Sequence, residues 1–135
     1  MYVSFLILLS MLFCHIIDDY KIQGILASMK QRDWWIKNAP GRLYRYDYIM
    51  ALIEHSFCWT FSIHIPILVY SLITGYFVIW AYLITFSLNI ICHAITDDLK
   101  ANKKKINLIT DQFVHLGQIL LTWSYYMIIL KGFPI

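Results

Sequence analysis

Four long apolar stretches leave this chain few ways to fold. They cover roughly 2–20, 46–73, 76–99 and 106–130, and each approaches the ~20 residues that a helix needs to cross a bilayer. Backbone in hydrocarbon must satisfy its hydrogen bonds internally, so stretches of this kind fold as helices. Hydrophobic residues make up 60% of the chain and charged ones only 14%, well below the rough quarter charged that is usual in soluble domains. The expected fold is all-α: an integral membrane four-helix bundle, one domain over residues 1–135. The first stretch has no basic segment ahead of Tyr2–Phe13 and no small-x-small cleavage site, so it reads as a retained span. Cys14, Cys58 and Cys92 all fall within apolar helices, as reduced, buried thiols would.

Charge placement orients the spans. The connection 21–46 carries Lys21, Lys30, Arg32, Lys37, Arg42 and Arg45, and the loop 100–105 carries Lys100, Lys103, Lys104 and Lys105. The opposite side has only Lys131, so the positive-inside rule puts both basic loops in the cytoplasm and both termini outside a cytoplasmic membrane. Within the first connection, Ile25, Leu26, Met29, Trp34 and Trp35 predict a short amphipathic helix over Ile25–Ile36, lying in the interface. Pro66 predicts a kink or an end within the second span.

The same topology gathers the ionisable residues. Cys14-His15-x-x-x-Asp19 closes the first span and repeats as Cys92-His93-x-x-x-Asp97 at the close of the third. Asp111-x-x-x-His115 opens the fourth, and Glu54 and His55 lie early in the second. A carboxylate and an imidazole four apart share one helix face. With ~1.5 Å of rise per residue, His15, His55, His93 and His115 all fall ~6–14 Å inside the cytoplasmic boundary. Ionisable groups at that depth are costly and face a bundle interior. Imidazole and carboxylate pairs on facing helices are also how bundles build metal sites. His15, Asp19, His93, Asp97, Asp111 and His115 form the candidate ligand set, which exceeds the needs of one tetrahedral zinc. The implied cofactor is one or two divalent ions: zinc, another transition metal, or magnesium. His55 is a further ligand or general base, Gln23 and Gln112 orient ligands or substrate, and Lys21 and Lys100 attract an anionic group. Asp18 and Asp98 read as capping or interfacial residues on other faces, and His64 as structural. A metal-free His–Asp hydrogen-bond network is the plain alternative.

At these residues the chain resembles a family of small bacterial and phage membrane proteins, that of domain of unknown function 3307. Its His-x-x-x-Asp-x-x-x-Gln motif matches His15, Asp19 and Gln23, and its early second-helix His matches His55. Its second His-x-x-x-Asp, followed by an aliphatic residue and Lys, matches His93, Asp97, Leu99 and Lys100. Its closing Asp-Gln-x-x-His matches Asp111, Gln112 and His115. Asp18 beside Asp19 and the long basic connection depart from that pattern. A more distant analogy links the chain to membrane-bound metal-dependent hydrolases, but neither resemblance implies a particular reaction.

Signatures of soluble enzymes are missing: there is no His-Glu-x-x-His, nucleophile elbow, phosphate-binding Gly loop or Cys-x-x-Cys. A net charge of +3 gives no reason to expect nucleic acid as a partner. The expected partners are the lipid bilayer and an anionic lipid or phosphoester substrate, with a homo-oligomer compatible. The leading expectation is a metal-dependent hydrolase at the cytoplasmic leaflet. A metal-ion carrier and a non-enzymatic regulatory or scaffold protein are the alternatives.

Overall fold

A computed structural model describes residues 2–131, all-helical with turns and no strands among them. Helix α1 spans Tyr2–Ile17 and runs on into a π-helical turn, Asp18–Ile22. Two short helices follow, α2 (Gly24–Met29) and α3 (Arg32–Asn38), then a 3-10 turn over Arg42–Tyr44. Three long helices complete the chain: α4 (Asp47–Thr74), α5 (Ile79–Ala101) and α6 (Leu108–Lys131). The closing residues 132–135 and the side chain of Lys131, expected on the outer side, lie outside the described residues.

Three helical stretches are long and apolar enough to cross a membrane: Tyr2–Ile22, Arg42–Thr74 and Ile79–Ala101. Helix α6, expected as a fourth span, runs to the edge of the described residues and is not among the stretches found within them. Its inward face carries Asp111, His115, Gln118 and Thr122, all buried.

Each long helix turns a stripe of four-residue spacing inward. On α1 the stripe is Ile7, Met11 and His15; on α5 it is Ala81, Thr85, Asn89, His93 and Asp97. The stripes of α1 and α6 meet, as do those of α1 and α4, α4 and α5, and α5 and α6. Small and polar residues let the backbones approach and hydrogen-bond across the contacts. Asn89 donates to Thr122 Oγ1 at 2.7 Å, and Trp123 donates to the Ser4 carbonyl at 2.8 Å. An apolar cluster of Ile7, Met11, Trp59, Ile63, Ile67, Ile119 and Tyr126 fills the middle. Among the described residues, buried polar side chains outnumber buried apolar ones, while Phe5, Phe13, Phe57, Ile91, Phe113 and Leu121 face outward. That is the inverse of a water-soluble helical domain.

Local features set the ends. Helix α4 passes through Pro66 and stops at Gly75, whose φ of 72° is the left-handed conformation that glycine adopts without a Cβ penalty. Asn107 caps α6 by accepting the Thr110 N–H at 2.9 Å. The predicted helix over Ile25–Ile36 is instead two helices, broken at Lys30–Gln31. Gly24, at φ 40°, turns the chain out of the π turn so that α2 packs on α4. Asn102 fastens the break to the end of α5: its Nδ2 donates to the Lys30 carbonyl at 3.2 Å and its Oδ1 accepts the Arg32 N–H at 2.7 Å. This strap carries Lys30 to the histidines.

Candidate metal centre

The C-terminal ends of α1 and α5 and the N-terminal ends of α4 and α6 converge, and Asp97 lies where they meet. Its carboxylate is 2% exposed. Oδ2 is 2.9 Å from His55 Nε2, 3.4 Å from His93 Nε2 and 2.6 Å from Lys30 Nζ, and Oδ1 is 3.6 Å from His115 Nε2. Three histidines from three helices therefore surround one carboxylate. Asp19 approaches from the π turn, 3.8 Å from His55 Nε2.

Hydrogen bonds around the cluster decide which ring nitrogens point into it. Gln118 donates through Nε2 to the Asn89 carbonyl and Oδ1, both at 3.1 Å. Its Oε1 is left to accept from His115 Nδ1 at 3.2 Å. With the proton on Nδ1, the His115 Nε2 lone pair faces Asp97 and Asp111, whose Oδ1 atoms are 3.6 and 3.4 Å away. A lone pair between two carboxylate oxygens is repulsive, and either a bound cation or a proton on Nε2 relieves it. His93 is fully buried between Trp59 and His115, with ring centroids at 4.3 and 4.2 Å. Neither of its nitrogens has a hydrogen-bond partner among the described residues, nor does His115 Nε2. Buried polar atoms of that kind cost ~1–3 kcal/mol each, and they fit a site shaped for an ion.

Two sets of ligand atoms lie within 4.8 Å of one another: Asp19, His55 and His93, and His93, Asp97 and His115. This buried cluster can hold a metal ion. Separations of 3.4–3.6 Å come close to the ~3.3 Å edge of a tetrahedron with bonds of about 2.0 Å. Nitrogen and oxygen donors without thiolate suit zinc, iron or manganese. Both sets draw on His93, and a neutral imidazole has one lone pair, so His93 serves one ion at a time.

The other predicted residues lie around this core. His15 is 2% exposed with both nitrogens engaged: Nδ1 accepts from Trp59 Nε1 at 2.8 Å, and Nε2 donates to Gln112 Oε1 at 3.2 Å. It is in neither ligand set and supports the cluster from behind. Asp111 bonds Lys100 Nζ at 2.6 Å, and Gln112 Nε2 donates to the same carboxylate at 3.2 Å. Gln23 bonds Asp18 and the His55 carbonyl, fixing the π turn to α4. Glu54, next to the buried His55 on α4, is exposed.

The capping reading fails for Asp18, which is 2% exposed and accepts from Ser62 Oγ at 2.7 Å. The π turn widens the helix there and turns Asp18 toward α4 as well as Asp19 toward the histidines. Lys30, Trp59 and Gln118 are site residues that motif spacing did not single out. Trp59 follows His55 by four, and Gln118 follows His115 by three, so helical spacing held a signal for both. Nothing in the basic connection distinguished Lys30. A cleft of about 390 Å³ opens beside the cluster, lined by Asp19, Lys30, Lys100, Leu108 and Gln112 among others. Comparison with family profiles, with curated proteins and with solved structures finds no match to this chain.

Proposed function

We propose that this chain is a membrane-embedded metalloprotein, a metal-dependent hydrolase acting on a phosphate-bearing lipid or phosphoester at the cytoplasmic leaflet. The observation that carries this reading is the set of unpartnered, fully buried nitrogens of His93 and His115 turned toward Asp97. The topology proposed with it has four spans, the connections 21–46 and 100–105 in the cytoplasm and both termini outside. Inward polar stripes and outward aromatic and aliphatic residues support that arrangement. The resemblance to the domain of unknown function 3307 family belongs to the same reading, since its three motifs all fall at this centre.

His93, Asp97 and His115 would hold the ion, with His55 and Asp19 as further donors. A bound divalent ion supplies hydroxide near neutral pH by lowering the pKa of its water to about 7. Gln118 and Asn89 hold His115 in the tautomer that offers Nε2. Lys100 and Gln112, at the cleft beside the cluster, would bind the anionic group. The purified protein with added zinc or manganese should then release phosphate from phosphatidate or p-nitrophenyl phosphate, and His93→Ala should not. A metal-loaded protein with no turnover on such a panel would remove the hydrolase reading.

One observation favours a metal-ion carrier instead. A buried polar line leads away from the cluster through Gln118, Asn89 and Thr122, beside a cavity of about 440 Å³ that Thr85 also lines, with His64 hydrogen-bonded to Thr85. Metal flux into proteoliposomes without phosphate release would select that reading.

A further inference from the structure

His55 Nε2 and Asp97 Oδ2 are 2.9 Å apart, and the Lys30 ammonium is 2.6 Å from each of them. An ammonium has only donors, so His55 Nε2 accepts from it through its single lone pair. That lone pair is the one a metal ion would need. Lys30 thus stands where a cation is required to keep an imidazole lone pair and a carboxylate together. A divalent ion and an ammonium within a few ångströms repel strongly in a buried setting, so the two cannot share these atoms.

The route out is short. Asn102 holds the backbone at the Lys30 carbonyl and the Arg32 N–H, and the Lys30 side chain swings on a flexible four-carbon stem. The Lys30 side chain is 12% exposed and already lines the 390 Å³ cleft with Lys100 and Gln112. Resting on the metal-centre reading above, we propose that Lys30 is a tethered placeholder for the metal ion, released on metal loading into the cleft, where with Lys100 it forms a subsite for a phosphate-type anion. The metal and the anion site are then coupled: the Lys30 ammonium, held by His55 and Asp97 in the unloaded state, is free to bind an anion in the cleft only when the centre is loaded.

Full-length protein in detergent, titrated with zinc, tests this. Reductive methylation with peptide mass spectrometry reads Lys30 labelling against Lys103, whose side chain is 55% exposed. Zinc should raise Lys30 labelling several-fold in the wild type and leave it unchanged in His93→Ala. Lys30→Met should bind zinc at least about tenfold more tightly, since one buried charge-assisted contact is lost only from the unloaded state. Lys30→Arg, which keeps the cation, should stay near wild type. Inorganic phosphate should bind the zinc-loaded wild type several-fold more tightly than zinc-loaded Lys30→Met. Absence of zinc binding in every variant overturns the metal reading itself. Zinc binding with unchanged Lys30 labelling overturns the placeholder and leaves the metal reading standing. Equal phosphate affinity overturns the anion subsite alone. Should Lys30→Met not fold, wild-type labelling decides the placeholder, and phosphate affinity with and without zinc decides the subsite.

Discussion

Replacing Asp97 by asparagine removes one charge and almost no volume from the centre of the cluster. The wild-type carboxylate lies within 2.6–3.6 Å of Lys30, His55, His93 and His115 and is 2% exposed. Taking one partner out of a buried ion pair costs ~3–5 kcal/mol, because the stranded charge cannot be solvated. Lys30 can recover part of that loss by moving into the cleft beside it, which argues for the lower end. For a chain of 135 residues, about 3 kcal/mol corresponds to a fall in Tm of roughly 10–15 °C. Helix melting in detergent with a chelator present, followed by circular dichroism, measures this without any contribution from bound metal. Asp98→Asn is the control: Asp98 pairs with exposed Lys103 at 2.7 Å, and a pair of that kind contributes ~0–1 kcal/mol. A fall of under about 3 °C for Asp97→Asn, or equal falls for both, would refute the claim that Asp97 holds the cluster together.

Other consequences are as specific. Trp59→Phe leaves His15 Nδ1 without its donor in a buried place and should cost ~1–3 kcal/mol by thermal melting, with an unchanged Tm speaking against that bond. Gln118→Leu removes the acceptor that fixes the His115 tautomer and should weaken zinc binding by about 10–100-fold in a chelator competition titration. Equal affinity would end the positioning role of Gln118. Gly75→Ala puts a Cβ at φ 72° and should lower stability by about 1 kcal/mol without touching metal affinity, which melting and titration read separately.

Much of the centre was legible because four-residue spacing leaves a helix little choice. Once His93 and Asp97 share a helix, they face the same way, and the polar stripe Thr85–Asn89–His93–Asp97 marks the inward side of α5. Which nitrogen each imidazole offers was not legible. His15 matches the same motif as His93, yet Trp59, distant in sequence, and Gln112 take both of its nitrogens. That outcome depends on how α1 meets α4 and α6. Lys30 was hidden for another reason: lysines in a basic connection look alike until the Gly24 turn and the Asn102 clamp bring one of them inside. Asp18 was misjudged because an ideal α-helix was assumed where the chain forms a π turn.

The central claim is that the buried imidazoles of His93 and His115 are ligands rather than members of a closed polar network. Plasma mass spectrometry on detergent-purified protein, after metal loading and removal of free ions, tests it most directly. The account predicts about one tightly held transition-metal ion per chain in the wild type, since both ligand sets draw on His93, and almost none in His93→Ala. Negligible metal in both, from protein that is fully helical, would contradict it.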